Sequence, residues 1–326
     1  MTSLPSSVTS TVTTGAQHAA RKGWMSIYVE LTKARLSLLV LMTTAVGFVM
    51  ASQRSIDWWL LLWTVLGTAL AAGAAGAINQ LMEVRRDLLM HRTRSRPLPS
   101  GSMSRAHGVI AATVMGVGGV TILATLVNLQ AAALSLATIV IYAAIYTPMK
   151  PRSTLNTLVG AICGALPPMI GWVAATGRLD VGAWLLGAVL FVWQIPHFLA
   201  LAWLYREDYQ RGGFAMLPVI DPTGAITCQV VVVTSLTLLP LGLLLAILGV
   251  AGVVYALGSL LLGLWMVILS VRLYLNRTHA NARGVFLASI TYLPLLLSLL
   301  VIDRGPAPTT HPNPIHYQVA ADQNGR

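Results

Sequence analysis

The sequence predicts an all-α protein that crosses a membrane about nine times. Only 10% of its 326 residues are charged and 56% are apolar, whereas about a quarter of the residues in a soluble domain carry charge. Apolar runs recur from Leu36 to Ile302, and many of them reach the roughly 20 residues that a helix needs to cross the hydrocarbon layer. Because backbone groups in lipid must be hydrogen-bonded within their own segment, we expect these runs to be helices.

The apolar runs divide the chain into one membrane domain and two polar ends. We place the spans at about residues 34–51, 58–82, 107–127, 130–147, 156–175, 181–203, 227–249, 251–274 and 284–302, within a membrane domain of residues 26–303. Residues 1–25 are rich in Ser and Thr and lack the apolar core of a secretory signal, so we expect a disordered cytosolic tail. Residues 304–326 are rich in Pro, Asn and Thr and predict a second disordered tail.

The distribution of basic residues predicts the orientation. The formal net charge is +11, which in a soluble protein would suggest a nucleic-acid partner. Here most basic residues fall in the loops of one face, together with the N-terminus, and the positive-inside rule assigns that face to the cytoplasm. We therefore expect the N-terminus and the site to face the cytoplasm, without a nucleic-acid partner. Because the N-terminal segment lacks the several arginines of a mitochondrial transit peptide, we expect a bacterial inner membrane. Cys163 and Cys228 lie far apart in apolar segments, which argues against a disulfide framework or a zinc site.

A first cluster of polar side chains lies at the end of the second span. Asn79, Glu83 and Asp87 are spaced four residues apart, so on a continuous helix they fall within an arc of roughly 80°. Oxygen side chains on one face at the membrane boundary suit Mg²⁺, which takes one or two carboxylates and completes its shell with water and phosphate oxygens. The alternative is an ordinary charged helix end, in which Glu83 and Asp87 pair with Arg86 and Arg92.

Two further loops on the same face carry the charges that such a site needs. Glu207, Asp208 and Arg211 follow the sixth span, and Lys150 and Arg152 follow the fourth. Carboxylates and a diphosphate together carry more negative charge than Mg²⁺ neutralises, so basic side chains must stabilise a departing diphosphate. The cations available for this are Arg92, Arg96, Lys150 and Arg152. Taken alone, each loop is equally explained by solvated charge or by the positive-inside rule.

The sixth span contains one unusual polar residue, His197, directly after Pro196. A proline inside a helix removes one backbone hydrogen bond and is expected to kink it. His197 could then contact or ligate a haem, or orient a substrate. The alternative is a histidine whose ring is hydrogen-bonded by the kinked backbone or by a neighbouring helix.

Four stretches of the chain carry a resemblance to a known family. They read NQLMEVRRDLLMHRTRSRPLPSG at 79–101, YTPMKPRSTLNTLVGAICGALPP at 146–168, FVWQIPHFLALAW at 191–203 and REDYQRGGFAMLP at 206–218. With them the chain resembles the UbiA-type intramembrane prenyltransferases and, within these, the branch that modifies haem. The resemblance implies that Asn79, Glu83, Asp87 and Asp208 hold Mg²⁺. It implies that Arg92, Lys150 and Arg152 bind phosphate, and that Glu207 completes the second acidic motif. Gly212 stands where the wider family has a second spaced acid.

The resemblance also implies a reaction. A farnesyl group would pass from farnesyl diphosphate to the vinyl group of haem B, which is a substrate and not a permanent cofactor, to give haem O. A haem A synthase or a terminal-oxidase assembly factor would be the protein partner. Two other hypotheses stay open: a UbiA-type enzyme that prenylates an aromatic ring or a chlorophyll-like alcohol, and a transporter or haem-delivery subunit without enzymatic activity.

Overall fold

The computed structural model describes residues 23–52 and 55–305, apart from the side chain of Arg35. The regular secondary-structure elements in these ranges are all helices, which confirms the all-α prediction. The helices are α1 (Trp24–Leu31), α2 (Ala34–Ala51), α3 (Trp58–Asp87), α4 (Arg105–Leu126), α5 (Leu129–Met149), α6 (Asn156–Thr176), α7 (Val181–Leu204), α8 (Arg206–Arg211), α9 (Leu217–Ile220), α10 (Ala225–Ile247), α11 (Val253–Leu275) and α12 (His279–Ile302).

The number of helices that could cross a membrane agrees with the predicted spans. Within the described ranges, eight helices are long and apolar enough. A ninth span results if Trp24–Leu31 and Leu36–Ala51, which meet at an angle of 62°, count as one. The chain is therefore an integral membrane protein with a helical bundle of the predicted kind.

The predicted ends of the membrane domain need small corrections. Helix α1 begins at Trp24, so the last two residues of the predicted tail 1–25 are helical. At the other end, the Gly305 backbone N–H donates to the Val250 carbonyl and the Arg304 guanidinium donates to the Val49 carbonyl, so these two residues pack on the bundle. The rest of both predicted tails, residues 1–22 and 306–326, lies outside the described residues.

Helix boundaries follow from capping side chains. Asp57, Ser104, Asn128, Asp180 and Thr278 each accept a hydrogen bond from a backbone N–H in the first turn of the helix that follows. Such caps satisfy donors that the helix itself leaves unpaired, typically contributing about 1 kcal/mol each. The caps separate consecutive apolar runs even where the connection is short, as between α4 and α5.

Two helices differ from the predicted spans in ways that shape the site. Helix α3 does not end near residue 82 but continues to Asp87, so the whole first cluster is helical. Helix α5 contains a π-helical segment, Ile141–Tyr146, which the sequence did not indicate. Single π turns inside α-helices are frequent at functional sites because they displace side chains from the regular spacing.

Helix packing in the bundle depends on small residues. Gly67 and Gly119 let α3 and α4 approach so closely that a Cβ atom on Gly119 would lie 2.7 Å from the Gly67 carbonyl oxygen and 2.8 Å from the Ala71 nitrogen. Gly171 of α6 and Gly47 of α2 meet backbone atoms of the opposite helix in the same way. Lipid gives no hydrophobic drive for helix association, so such close van der Waals packing stabilises the arrangement.

The loops that carry the three charged clusters lie at one end of the bundle. The backbone N–H of Ala215 donates to the Lys150 carbonyl at 2.7 Å, and the Arg86 side chain donates to the Gly212 carbonyl at 2.8 Å. The loops after α3, α5 and α7 are therefore in mutual contact. The three clusters therefore lie at the same end of the bundle.

The packing predicts a contrast between two adjacent glycines of α4. Gly119→Ala should destabilise the protein by about 1–3 kcal/mol, because the added methyl group overlaps the backbone of α3. Gly118→Ala is the matched control, since the nearest atom to its added Cβ lies 4.0 Å away. The measurement is the apparent melting temperature of the purified protein in detergent. Equal melting temperatures for the two variants would contradict the α3–α4 contact.

Candidate active site

The last three turns of α3 present three buried oxygen side chains on one face. Asn79 and Asp87 are 0% exposed and Glu83 is 5% exposed. A carboxylate at such a depth is unfavourable unless a cation and hydrogen bonds compensate it. The partners of these three residues therefore decide how the site is built.

Each carboxylate is paired with a cation from a different segment. The Lys150 ammonium lies 2.9 Å from one Glu83 oxygen and 3.1 Å from the other. The Arg96 guanidinium donates to both Asp87 oxygens, at 2.9 and 3.1 Å. The ordinary helix-end alternative expected Arg86 and Arg92 as partners, and the structure uses neither. The two cations that do pair were both predicted phosphate-binding residues.

The Asn79 amide joins three elements. Its Nδ2 donates to the Thr147 hydroxyl of α5 at 3.1 Å, and its Oδ1 accepts from the Lys33 ammonium at 2.5 Å. Lys33 also donates to the Tyr142 hydroxyl at 3.3 Å. The amide orientation is thereby set from both sides. Sequence reasoning missed these partners because no spacing rule relates Lys33 to a residue 46 positions later.

Aromatic rings surround the Lys150 ammonium. It lies 4.6 Å from the centre of the Tyr146 ring and 5.6 Å from that of Phe214. Burial alone would lower the pKa of Lys150, but the adjacent Glu83 carboxylate outweighs burial and holds that pKa above its ordinary value. Gly160 keeps room for the Tyr146 ring, since a Cβ atom there would approach the ring to 2.9 Å. The ring faces of such residues stabilise positive charge.

Asp208, in the second acidic motif, holds the loop that follows α3 through hydrogen bonds. One Asp208 oxygen accepts from the Arg211 guanidinium and, at 3.2 Å, from the His91 backbone N–H, and the other accepts from the Arg92 N–H at 3.3 Å. Partial burial works against the charged form, but these hydrogen bonds hold the pKa of Asp208 below its usual range. The adjacent Glu207 side chain is exposed. Asp208 thus fixes the chain immediately after the first cluster.

The remaining predicted phosphate-binding residues lie outside the buried cluster. The Arg92 guanidinium is exposed and stacks on Tyr205 and Tyr209, with 4.8 and 5.3 Å to the ring centres, and donates to the Tyr209 hydroxyl at 3.1 Å. Arg152 is exposed, and its guanidinium makes no hydrogen bond or ion pair with the part of the chain that the structure describes. Their role in phosphate binding stays a prediction.

His197 belongs to a separate contact between α7 and α12. Its Nδ1 lies 2.8 Å from the Ser289 hydroxyl, and its ring stacks between Trp193 and Phe286, with 5.1 Å between ring centres in each case. The alternative of a histidine hydrogen-bonded by a neighbouring helix therefore describes this contact. A role toward haem stays a prediction, since Nε2 bonds to no residue of the described chain.

A preformed metal cage is absent from residues 23–52 and 55–305. No group of three or more His, Cys, Asp or Glu side chains there is arranged around one ion. Asp208 is therefore not grouped with Glu83 and Asp87, and its place as a fourth metal ligand stays a prediction.

Two grooves of about 520 and 620 Å³ open elsewhere on the surface, and neither contains an acidic side chain. The buried charged cluster is therefore the candidate site, because an ionisable residue in a membrane domain is by default a functional candidate.

Comparisons with known proteins agree on a family. The model of the UbiA prenyltransferase family matches residues 40–291. The chain is 43% identical over 289 residues to a protoheme IX farnesyltransferase of Solibacter usitatus, covering 86% of this chain and 99% of the relative.

Solved structures share the fold. A digeranylgeranylglyceryl phosphate synthase superposes with a TM-score of 0.73 at 15% identity, over 86% of this chain and 98% of its own. A UbiA homologue from Archaeoglobus fulgidus, solved bound to GPP and Mg²⁺, gives a TM-score of 0.56 at 13% identity, over 84% of this chain and 99% of its own. The chain belongs to the UbiA prenyltransferase family.

Proposed function

We propose that this protein transfers the farnesyl group of farnesyl diphosphate to the vinyl group of haem B, giving haem O and diphosphate. One structural observation carries the proposal: three buried oxygen side chains of α3, each bonded to a basic side chain, at one end of a membrane bundle. The haem specificity is supported by the relative named protoheme IX farnesyltransferase, which aligns over nearly its whole length.

The donor set of the cluster fits magnesium. Asn79, Glu83 and Asp87 each offer side-chain oxygen ligands, and two of the three residues are carboxylates. Mg²⁺ prefers such ligands together with water and phosphate oxygens. Mg²⁺ would be held by these three side chains. When bound, it would neutralise charge on the diphosphate and make it a better leaving group. The number of ions is not part of the proposal.

The basic side chains are placed to bind the diphosphate. Lys150 and Arg96 already lie against the two carboxylates, so a diphosphate in the cluster meets cations that the protein has positioned beforehand. Preorganised charges stabilise a developing anion without reorganisation during the reaction. The planar guanidinium of Arg96 can bridge two phosphate oxygens, whereas Lys150 acts as a point charge.

Bond changes in the reaction need no strong base. The C–O bond to diphosphate breaks with its electron pair, which leaves an allylic cation on the farnesyl chain. The π electrons of the haem vinyl group form the new C–C bond, and water adds to the resulting cation and loses a proton, giving the hydroxyethylfarnesyl side chain. Tyr146 and Phe214 beside Lys150 are suited to exclude water and to stabilise the first cation.

The remaining roles and the setting are also proposals. His197 would contact the haem, and Arg92, Arg152 and Arg211 would bind substrate at the exposed rim, with Glu207 beside them. The setting would be a bacterial inner membrane with the N-terminus and the site on its cytoplasmic side, and the basic loops at the site end support this orientation. A haem A synthase or a terminal-oxidase assembly factor would receive the product.

The activity itself is directly measurable. Membranes that contain this protein should convert haem B and farnesyl diphosphate into haem O in the presence of Mg²⁺, detected by the mass of the extracted haem. Membranes without the protein are the control, and an aromatic acceptor is tested in parallel. Prenylation of the aromatic acceptor with haem B unchanged would reject the haem assignment in favour of another UbiA-type reaction.

Asp87 should be necessary for this turnover. Asp87→Asn removes the charge that faces Arg96 and Mg²⁺ and should lower kcat by roughly 100-fold or more. Asp57→Asn is the matched control, because Asp57 caps the opposite end of α3 and asparagine caps equally well. Haem O formation at more than a tenth of the wild-type rate by the Asp87 variant would contradict the role.

Substitution of Asp208 distinguishes a metal-ligand role from a loop-supporting role of this residue. If Asp208 acts as a loop support, Asp208→Asn should lower both the melting temperature and the rate, because it weakens the hydrogen bonds to His91 and Arg92, while the Mg²⁺ concentration for half-maximal rate stays unchanged. Asp57→Asn is the control and should alter neither, because Asp57 lies at the opposite end of α3 and asparagine caps equally well. A clear rise in the Mg²⁺ requirement of the Asp208 variant would instead assign it as a metal ligand.

A further inference from the structure

Lys33 occupies an unfavourable backbone conformation at the bend between α1 and α2. Its φ and ψ angles are 52° and 46°, in the left-handed region. Among the residues that the structure describes, it is the one non-glycine residue with a positive φ. A side chain with a Cβ atom is disfavoured there, and such conformations persist where the surroundings enforce them, often at functional sites.

Helix α3 holds this bend in place. Gln80 Nε2 donates to the carbonyl oxygens of Glu30 and Leu31, at 2.8 Å each. Gly73 and Gly76 give the bend room, since Cβ atoms on them would lie 3.2 and 3.3 Å from atoms of Thr32. The same turns of α3 that carry the first cluster therefore fix the backbone that carries the lysine.

The Lys33 ammonium points at the cluster but has no anion of its own. Its hydrogen-bond partners are Asn79 Oδ1 and the Tyr142 hydroxyl, both neutral. Lys150 and Arg96, by contrast, each face a carboxylate. Within the described part of the chain, Lys33 makes no ion pair. A partly buried ammonium next to neutral partners is unfavourable unless an anion also binds it.

We propose that Lys33 binds a phosphate oxygen of the prenyl diphosphate at this site, as a third cation beside Lys150 and Arg96. The inference rests on the proposed function for the identity of the anion, and it adds a residue that the charged loops did not suggest. Because the ammonium also contacts Asn79, Lys33 links diphosphate binding to the orientation of that amide. Its backbone strain is explained by the need to direct the ammonium into the cluster.

The test uses the full-length protein in detergent with two readouts. One is KM for farnesyl diphosphate and for haem B in the haem O assay. The other is the rise in melting temperature caused by inorganic pyrophosphate with Mg²⁺, which needs no turnover. Lys33→Met removes the charge, and Lys33→Gly removes the charge and the Cβ atom. Arg85→Met is the matched control, because Arg85 is an exposed cation near the same end of α3.

Lys33→Met should raise KM for farnesyl diphosphate by about tenfold or more, the usual effect of losing one charge-assisted hydrogen bond. KM for haem B should stay within about twofold, and a given pyrophosphate concentration should raise the melting temperature by less than it does in the wild type. Arg85→Met should resemble the wild type in both readouts. Lys33→Gly should be equally defective in binding but melt at a higher temperature than Lys33→Met, because glycine accepts the left-handed conformation.

The results separate this inference from the proposed function. One combination of results would uphold the role of Lys33 and reject the haem reaction. In it, pyrophosphate stabilises the wild type and stabilises Lys33→Met less, but the wild type makes no haem O. Active wild type with a Lys33→Met variant that keeps both KM for farnesyl diphosphate and the pyrophosphate response would overturn the role of Lys33 alone. A Lys33→Gly variant no more stable than Lys33→Met would overturn the strain argument.

Discussion

The structure depends on how a membrane protein keeps charge buried at one end of its bundle. Glu83 and Asp87 are nearly inaccessible, and each would be too costly to bury without a cation in direct contact. The cations come from separate parts of the chain, Lys150 after α5 and Arg96 in the loop after α3. These ion pairs therefore determine where two connecting segments must lie.

Helix α3 is the element on which this arrangement is assembled. One face carries the three oxygen side chains, an adjacent face clamps the bend after α1 through Gln80, and a third packs on α4 through Gly67. Small residues are needed on both packing faces, because the backbones of neighbouring helices come within van der Waals distance. A single long helix thus links membrane packing to the geometry of the charged cluster.

The two acidic motifs have different structural roles. The first directs its oxygens to basic side chains, whereas Asp208 accepts hydrogen bonds from the backbone of the loop that follows the first. Arg86 reinforces the same contact from the other side by donating to the Gly212 and Gly213 carbonyls. The loops are therefore joined before any substrate enters, which is the preorganisation that electrostatic catalysis requires.

Hydrophobic length and helix repeat were enough to predict the approximate membrane spans and the common face of Asn79, Glu83 and Asp87, because both act within one segment. The short helices α1, α8 and α9 were not predicted. The ion-pair partners were not predictable in this way: Arg86 and Arg92 are nearer in sequence to Asp87 than Arg96 is, yet the fold selects Arg96. The π-helical segment that contains Tyr142, a hydrogen-bond partner of Lys33, was not predicted either. Contacts between segments depend on how close small residues let the helices come, and this is decided by the packing of the whole bundle.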